Sequence, residues 1–278
     1  MLKLGKTQTL TVVKEVNFGV YLAEESNLEH RVLLPAKQVP EGTKIGDEIK
    51  VFLYKDSSDR LISTTHAPKI QIDGFAVLKV LEVTGIGAFL DWGLEKDLFL
   101  PFKEQLRKLE RDDEILVRLY IDKSDRLCAT MKGLYDVLFR QSPYRRDDVV
   151  KARVYEFSKN FGTFLAIDDK YSARIPIHED CRALKIGDVI EAKVAGVKED
   201  GKTDLTLRER AYVQIEGDAE KIMQILESRG GELPIHDKSS PEDIMKETGL
   251  SKNAFKRAAG RLYKERKIVI TETGIKYS

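Results

Sequence analysis

Metal-ligating and redox-active side chains are scarce in this sequence. Its two cysteines, Cys128 and Cys181, lie far apart and form no CxxC pair. A disulfide framework is therefore not expected, and both read as inert thiols of a reducing cytosol. The four histidines (His30, His66, His178, His236) make no HExxH or Cys/His cluster, so no metal site is expected. No stretch approaches the roughly 18 unbroken apolar residues of a membrane span. The N-terminus also lacks the charged, apolar and small-residue regions of a secretion signal, so a cytoplasmic protein without a membrane partner is expected. A glycine-rich phosphate loop is missing too: Gly85-Ile86-Gly87 has no third glycine and lies inside a strand pattern. No serine, histidine and acid stand in a nucleophile motif. The expectation is a non-enzymatic chain that needs no cofactor.

An excess of one charge is absent as well. The net charge is +1, and residues 1–66, 67–147, 148–210 and 211–278 each balance lysine and arginine against acids to within one. That excludes a blanket electrostatic grip on a polyanion; any basic contact must be clustered on one face.

What the chain does have is a stretch written three times. Residues 16–22 (VNFGVYL) return as 83–90 (VTGIGAFL) and as 158–165 (SKNFGTFL). A spacing of roughly 70 residues is too long for a solenoid and suits a small barrel. Around the first copy, residues 4–15, 16–23, 31–35, 49–54 and 60–65 read as short strands with turn residues between them. Residues 54–61 and 120–127 match at six of eight positions, and Ile45-Gly46-Asp47 recurs as Ile186-Gly187-Asp188. Five strands per copy imply a closed antiparallel barrel of OB type. The expected domains are barrels at 1–67, 68–133 and 148–211, a helical linker at 134–147, and a final domain at 212–278.

That last domain changes period. Ala219, Ile222, Met223, Ile225 and Leu226 recur at helical spacing. Ser240-Pro241-Glu242-Asp243 opens a second helix that ends at Gly249, and Ser251 caps a third whose apolar face is Ala254, Phe255, Ala258, Ala259 and Leu262. A hairpin near Thr273-Gly274 completes a winged helix-turn-helix plan.

The repeated aromatic-Gly-x-aromatic motif, the Ile-Gly-Asp before the fourth strand and the Asp-x-x-x-Arg turn into the fifth resemble S1-type RNA-binding domains. Three such barrels before a winged helix resemble the conserved virulence factor B family of bacteria over essentially the whole chain. The resemblance implies RNA binding and an influence on virulence-gene expression.

The residues give a physical reason for that implication. Phe18 and Tyr21 are three apart and would point to opposite faces of a strand; the glycine between them is expected to permit a bulge that resets the parity. Rings exposed this way stack bases at about 1–3 kcal/mol each. The alternative is that one or both rings fill the barrel. Phe161 and Phe164 keep both rings, with Lys159 beside them, whereas the second copy has Ile86 and only Phe89. Proline (Pro35, Pro101, Pro176) stands where many S1 domains carry a histidine, and His178 is the candidate substitute. The pairs Asp56/Arg60 and Asp122/Arg126 match the family's turn, where the third copy has Lys198 and Lys202. That loss of an acid makes the third barrel the expected main RNA contact; a solvated turn is the bland alternative.

Residues 251–267 hold seven basic residues against one acid. Ser251, Lys252, Asn253 and Lys256 form the reading end of a recognition helix, while Arg257, Arg261, Lys264 and, on the wing, Lys276 would contact phosphate. Single-stranded RNA is the expected partner, with DNA possible. One rival reading is a DNA-binding transcription regulator whose barrels dock partners; another is a scaffold that binds protein alone.

Overall fold

The computed structural model describes residues 2–278, the side chains of residues 208–214 excepted. The chain forms two compact units, residues 1–205 and 206–278.

The first unit holds three closed five-stranded barrels. Barrel 1 is built from β1 (Thr7–Val16), β2 (Gly19–Glu24), β3 (Asn27–Pro35), β4 (Glu48–Lys55) and β5 (Leu61–Thr64). Barrel 2 uses β6 (Phe75–Val83), β7 (Gly87–Asp91), β8 (Leu98–Pro101), β9 (Glu114–Ile121) and β10 (Leu127–Thr130). Barrel 3 uses β11 (Val149–Ser158), β12 (Gly162–Ile167), β13 (Tyr171–Ile175), β14 (Val189–Val197) and β15 (Thr203–Thr206). In each, the third and fifth strands meet in parallel and close the ring, as Leu33 does with Ile62 and Ala173 with Thr203. Alternate residues point inward: Leu10, Val12, Val20, Leu22, Val32, Leu34, Val51 and Leu53 fill barrel 1.

Each first strand carries a bulge, between Val12 and Lys14, Val80 and Glu82, and Val154 and Glu156. The extra residue bends the strand so the sheet can close. This corrects the expectation that the bulge lies at the motif glycine. Phe18 and Phe161 stand instead in the turn that precedes the second strand, outside its alternation. The glycine answers a different demand. A Cβ on Gly19, Gly87 or Gly162 would lie 2.0, 2.4 or 2.2 Å from the carbonyl oxygen of Leu34, Leu100 or Ile175, and each φ is positive. Only glycine lets the second strand run that close to the third.

The barrels pack directly on one another. Phe52 and Tyr54 of β4 meet Trp92 edge-on at 5.8 and 6.4 Å between ring centroids, joining the cores of barrels 1 and 2. Leu116 of barrel 2, Leu134 and Leu138 of the connecting segment, and Tyr155 and Ala166 of barrel 3 form a second shared cluster. Tyr155 is the residue skipped by the β11 bulge, and its hydroxyl shares a 2.8 Å hydrogen bond with Ser172 Oγ. The segment expected to be a helical linker holds only a single 3-10 turn, Leu134–Asp136. Beyond it, Phe139 pairs its backbone with β13: its N–H donates to Lys170 O (3.0 Å) and its carbonyl accepts from Ser172 N–H (2.8 Å). A residue bonded to a sheet edge cannot also continue a helix.

The second unit contains α1 (Arg208–Ser228), β16 (Glu232–Leu233), α2 (Pro241–Thr248), α3 (Lys252–Lys264), β17 (Ile268–Ile270) and β18 (Ile275–Tyr277). Ser240 Oγ accepts from Asp243 N–H at the start of α2, with Pro241 in the first turn, and Gly249 ends that helix in the left-handed conformation. Ser251 caps α3 through Ala254 N–H. The expected apolar face of α3 is buried in full. Two departures appear: α1 begins at Arg208, within the range expected for barrel 3, and β16 joins β18 to make the wing three-stranded. Two residues give no readable period, which is why β16 is invisible in sequence. No helix among the described residues is long and apolar enough to cross a membrane.

Candidate nucleic-acid interface

The three copies of the motif end in different surroundings. In barrel 1, Phe18 is 58% exposed and meets half-buried Tyr21 edge-on at 6.5 Å. Arg31 lies over the Tyr21 ring at 5.4 Å. Arg60, expected to reach phosphate, forks onto Asp56 through Nε (3.0 Å) and Nη2 (2.8 Å). In barrel 2, Ile86 is 67% exposed and Phe89 leans on Phe99 at 5.3 Å. Arg126 pairs with Asp59 of barrel 1 at 2.6 Å, which ties its guanidinium across the junction between the two barrels.

Barrel 3 brings four of its expected residues together: Phe161, Phe164, Lys198 and Lys202. Phe161 is 57% exposed; Phe164 is half-buried, with Tyr135 at 5.6 Å and Tyr155 at 6.1 Å between centroids. Both line a groove of about 520 Å³ that also takes in Tyr135, Arg140, Arg174, Lys198 and Lys202. The turn expected to match across the copies does so: Asp56 N–H donates to Arg60 O (3.0 Å), Asp122 N–H to Arg126 O (2.9 Å) and Lys198 N–H to Lys202 O (2.9 Å).

The expectation that this turn lost its acid needs amending. Lys202 pairs with Asp200 at 2.5 Å, and Lys198 lies 3.6 Å from Asp204, which also holds Arg174 at 3.0 Å. The Asp200 hydrogen bond keeps the Lys202 ammonium protonated above the usual lysine range and holds the Asp200 carboxyl below its own. The local charge is therefore mixed; the Lys202–Asp200 pair faces solvent, where a phosphate could compete for it, whereas the Arg174–Asp204 pair is half-buried. Lys159 is exposed in the turn before Phe161 and does not line the groove; His178 is exposed in the turn after β13 and does not line it either.

Three of the groove's rings and cations were not expected from the sequence: Arg174 of β13, Tyr135 and Arg140. Tyr135 and Arg140 come from the connecting segment, and the Arg140 guanidinium lies over the Tyr135 ring at 5.0 Å. The signal available was an aromatic and a basic residue in a segment without strand period, too sparse to assign a wall of a site.

In the second unit, Ser251 and Asn253 are exposed at the start of α3, Lys252 is half-buried, and Lys256, Arg257 and Lys264 are exposed. None of those four cations has an ion pair among the described residues. Arg261 differs: it binds Glu216 of α1 (3.1 Å) and Glu265 (2.8 Å), and so acts first as a brace between helices. Lys276 is exposed on β18, opposite Val269 and Glu232.

Comparison with known proteins places barrels 1 and 2 and the second unit in domain classes that bind nucleic acid. The S1 domain model matches residues 4–66 and 75–132, and the CvfB-like winged helix domain model matches residues 220–277. The chain is 32% identical over 244 residues to Conserved virulence factor B of Staphylococcus saprophyticus, covering 83% of this chain and 79% of that protein. It is 31% identical over 283 residues to the Staphylococcus epidermidis protein of the same name, covering 98% and 93%. A solved multidomain protein with nucleic acid binding domains from Streptococcus pneumoniae is similar over 99% of this chain and 98% of its own, at 28% identity and a TM-score of 0.51. With three S1-like barrels, a winged helix and relatives of this closeness over nearly its full length, the chain belongs to the conserved virulence factor B family.

Proposed function

We propose that this chain is a non-enzymatic, cytoplasmic regulator that binds single-stranded RNA, with virulence genes among those it controls. One observation carries the reading: the barrel 3 groove gathers Phe161, Phe164 and Tyr135 with Arg140, Lys198 and Lys202 around about 520 Å³ of accessible space. Flat rings and cations in one cleft suit unpaired bases, whose faces are hidden in a duplex. The name that these relatives carry, Conserved virulence factor B, supports the regulatory part.

The groove neutralises few phosphates, so log affinity should fall with log salt with a slope of only a few. Phe161→Ala removes an exposed ring and should weaken RNA binding by about 1–3 kcal/mol without unfolding the barrel. Phe164→Ala also opens a packed cluster, so its loss of binding counts only beside an unchanged melting temperature. Unchanged affinity for Phe161→Ala would remove the groove from the site.

A second reading rests on α3, where Lys256, Arg257 and Lys264 lie exposed without acid partners among the described residues. On that reading the winged helix reads duplex DNA and the barrels dock partners. Competition between duplex DNA and single-stranded RNA at one salt concentration separates the two. A preference for duplex favours the second.

A further inference from the structure

The connecting segment that supplies Tyr135 and Arg140 to the groove meets another surface on its far side. On barrel 2, β6 and β9 set Phe75 opposite Arg118, while the neighbouring Val117 and Leu119 point into the core. Strand alternation therefore places Phe75 and Arg118 together on the outer face. Phe139 caps that face. It is 58% exposed, and its ring lies 5.6 Å from Phe75 and 6.1 Å from Tyr171. Its backbone is fixed on both sides by the hydrogen bonds to Lys170 and Ser172. This is a held ring facing water.

Arg118 adds the second feature. Its guanidinium runs past Gly133, where a Cβ would lie 3.1 Å from Cζ. Among the described residues, nothing accepts a hydrogen bond from that guanidinium or forms an ion pair with it, and its Nε is buried without a partner. A half-buried cation with no counter-charge is costly, and an incoming anion would offset that cost. Most other buried or half-buried arginines of this unit are already committed: Arg107 to Asp113, Arg153 to Asp169 and Arg174 to Asp204. Residues 133–140 thus turn Tyr135 and Arg140 toward the groove, and Gly133 and Phe139 toward Arg118 and Phe75.

We infer that Phe75, Arg118 and Phe139 form a second contact for the same RNA strand, which leaves the groove, crosses the connecting segment and lays a base on Phe139 with a phosphate at Arg118. The inference rests on the RNA reading of the groove. Rings alone would suit a protein partner equally; the unpaired guanidinium beside them selects a polyanion.

Strand length separates the two contacts. Fluorescence anisotropy of labelled single-stranded RNA of about 4 and about 16 nucleotides brackets the range one barrel of this type covers. Phe139→Ala should weaken the longer RNA by about five- to hundredfold, the range of one lost base contact, Arg118→Gln should weaken it through the lost phosphate contact, and both should leave the shorter unchanged. Arg118→Gln should also lower the salt slope for the longer RNA by about 0.7. Phe161→Ala should weaken both lengths. If the two seam variants leave both lengths unchanged while Phe161→Ala weakens them, the seam is not an RNA contact and the inference fails. If Phe161→Ala has no effect while the seam variants still weaken the longer RNA, the groove reading fails and the seam contact stands. Phe139 is exposed, so Phe139→Ala keeps the test valid even if Arg118→Gln fails to fold.

Discussion

The Arg140 guanidinium lies 5.0 Å from the Tyr135 ring centroid, and that ring meets Phe164 edge-on at 5.6 Å. A cation, a ring from outside the barrel and a ring from its second strand therefore form one continuous wall of the groove. Cation–ring contact at this distance orients the guanidinium without neutralising it. Arg140 has no ion pair among the described residues, whereas Lys202 is held by Asp200.

Arg140→Ala should therefore weaken single-stranded RNA more than Lys202→Ala does. The first removes a free cation, lowering the salt slope by about 0.7; wild-type Lys202 must give up Asp200 before it can meet a phosphate, so it has less binding to lose. Titrations at three salt concentrations measure both slopes. Melting temperature should not change for either variant, because both side chains are exposed. A larger effect at Lys202 would mean that the turn, not the connecting segment, holds the phosphate.

Gly162→Ala should destabilise the first unit by about 3 kcal/mol or more. The added Cβ would lie 2.2 Å from Ile175 O and 2.7 Å from Ile177 N, both backbone atoms that cannot step aside, at a φ of +103°. Urea unfolding followed by circular dichroism reads this directly. Gly85→Ala, two residues before the equivalent glycine of barrel 2, has open space at its Cβ and should cost little. Equal effects of the two would show that the close approach is not what the motif protects.

These glycines mark where sequence reading reached its limit. The repeat, the strand order and the caps of α2 and α3 were legible because each follows from local pattern: alternation, turn residues, a serine before a proline. The reason for the glycine was not legible, because it depends on a carbonyl some 15 residues away in sequence. The groove was half legible. Phe161, Phe164, Lys198 and Lys202 follow from the repeat, but Tyr135 and Arg140 reach the site only through packing of Leu134 and Leu138 between two barrels. Charge was the least legible feature. Arg126 looks equivalent to Arg60 in sequence, yet one pairs across barrels and the other within its own turn.

The cysteines should prove inert in the folded chain. Burial, and then the Asp122 carboxylate, push the Cys128 thiol up to about 11, and burial raises Cys181 as well. Near pH 8 almost no Cys128 thiolate exists, and its side chain is shielded from reagent. Iodoacetamide labelling followed by mass spectrometry should give slow modification of the native protein and fast modification in urea. Labelling of Cys128 should accelerate only as pH approaches 11. Rapid native labelling of Cys128 at pH 8 would mean that barrel 2 opens near β10.

In α3 the basic residues divide by role, and two variants can expose the division. Arg261 binds Glu216 and Glu265 with only a fifth of its side chain exposed, so Arg261→Ala takes this partner from Glu216, leaves Glu265 to Lys267, and loosens α3 from α1. Partly exposed pairs of this kind contribute about 1 kcal/mol at most, so a fall of a few degrees in the melting temperature of the second unit is expected. Lys256→Ala with Arg257→Ala touches no ion pair and should leave melting unchanged while weakening whichever nucleic acid α3 contacts. Running the double variant against both RNA and duplex DNA assigns the helix: weakened duplex binding with intact RNA binding makes α3 a groove reader, and the converse makes it an extension of the RNA surface. If neither polymer responds and melting is intact, the exposed cations are a solvated face, and the winged helix works through protein contacts instead.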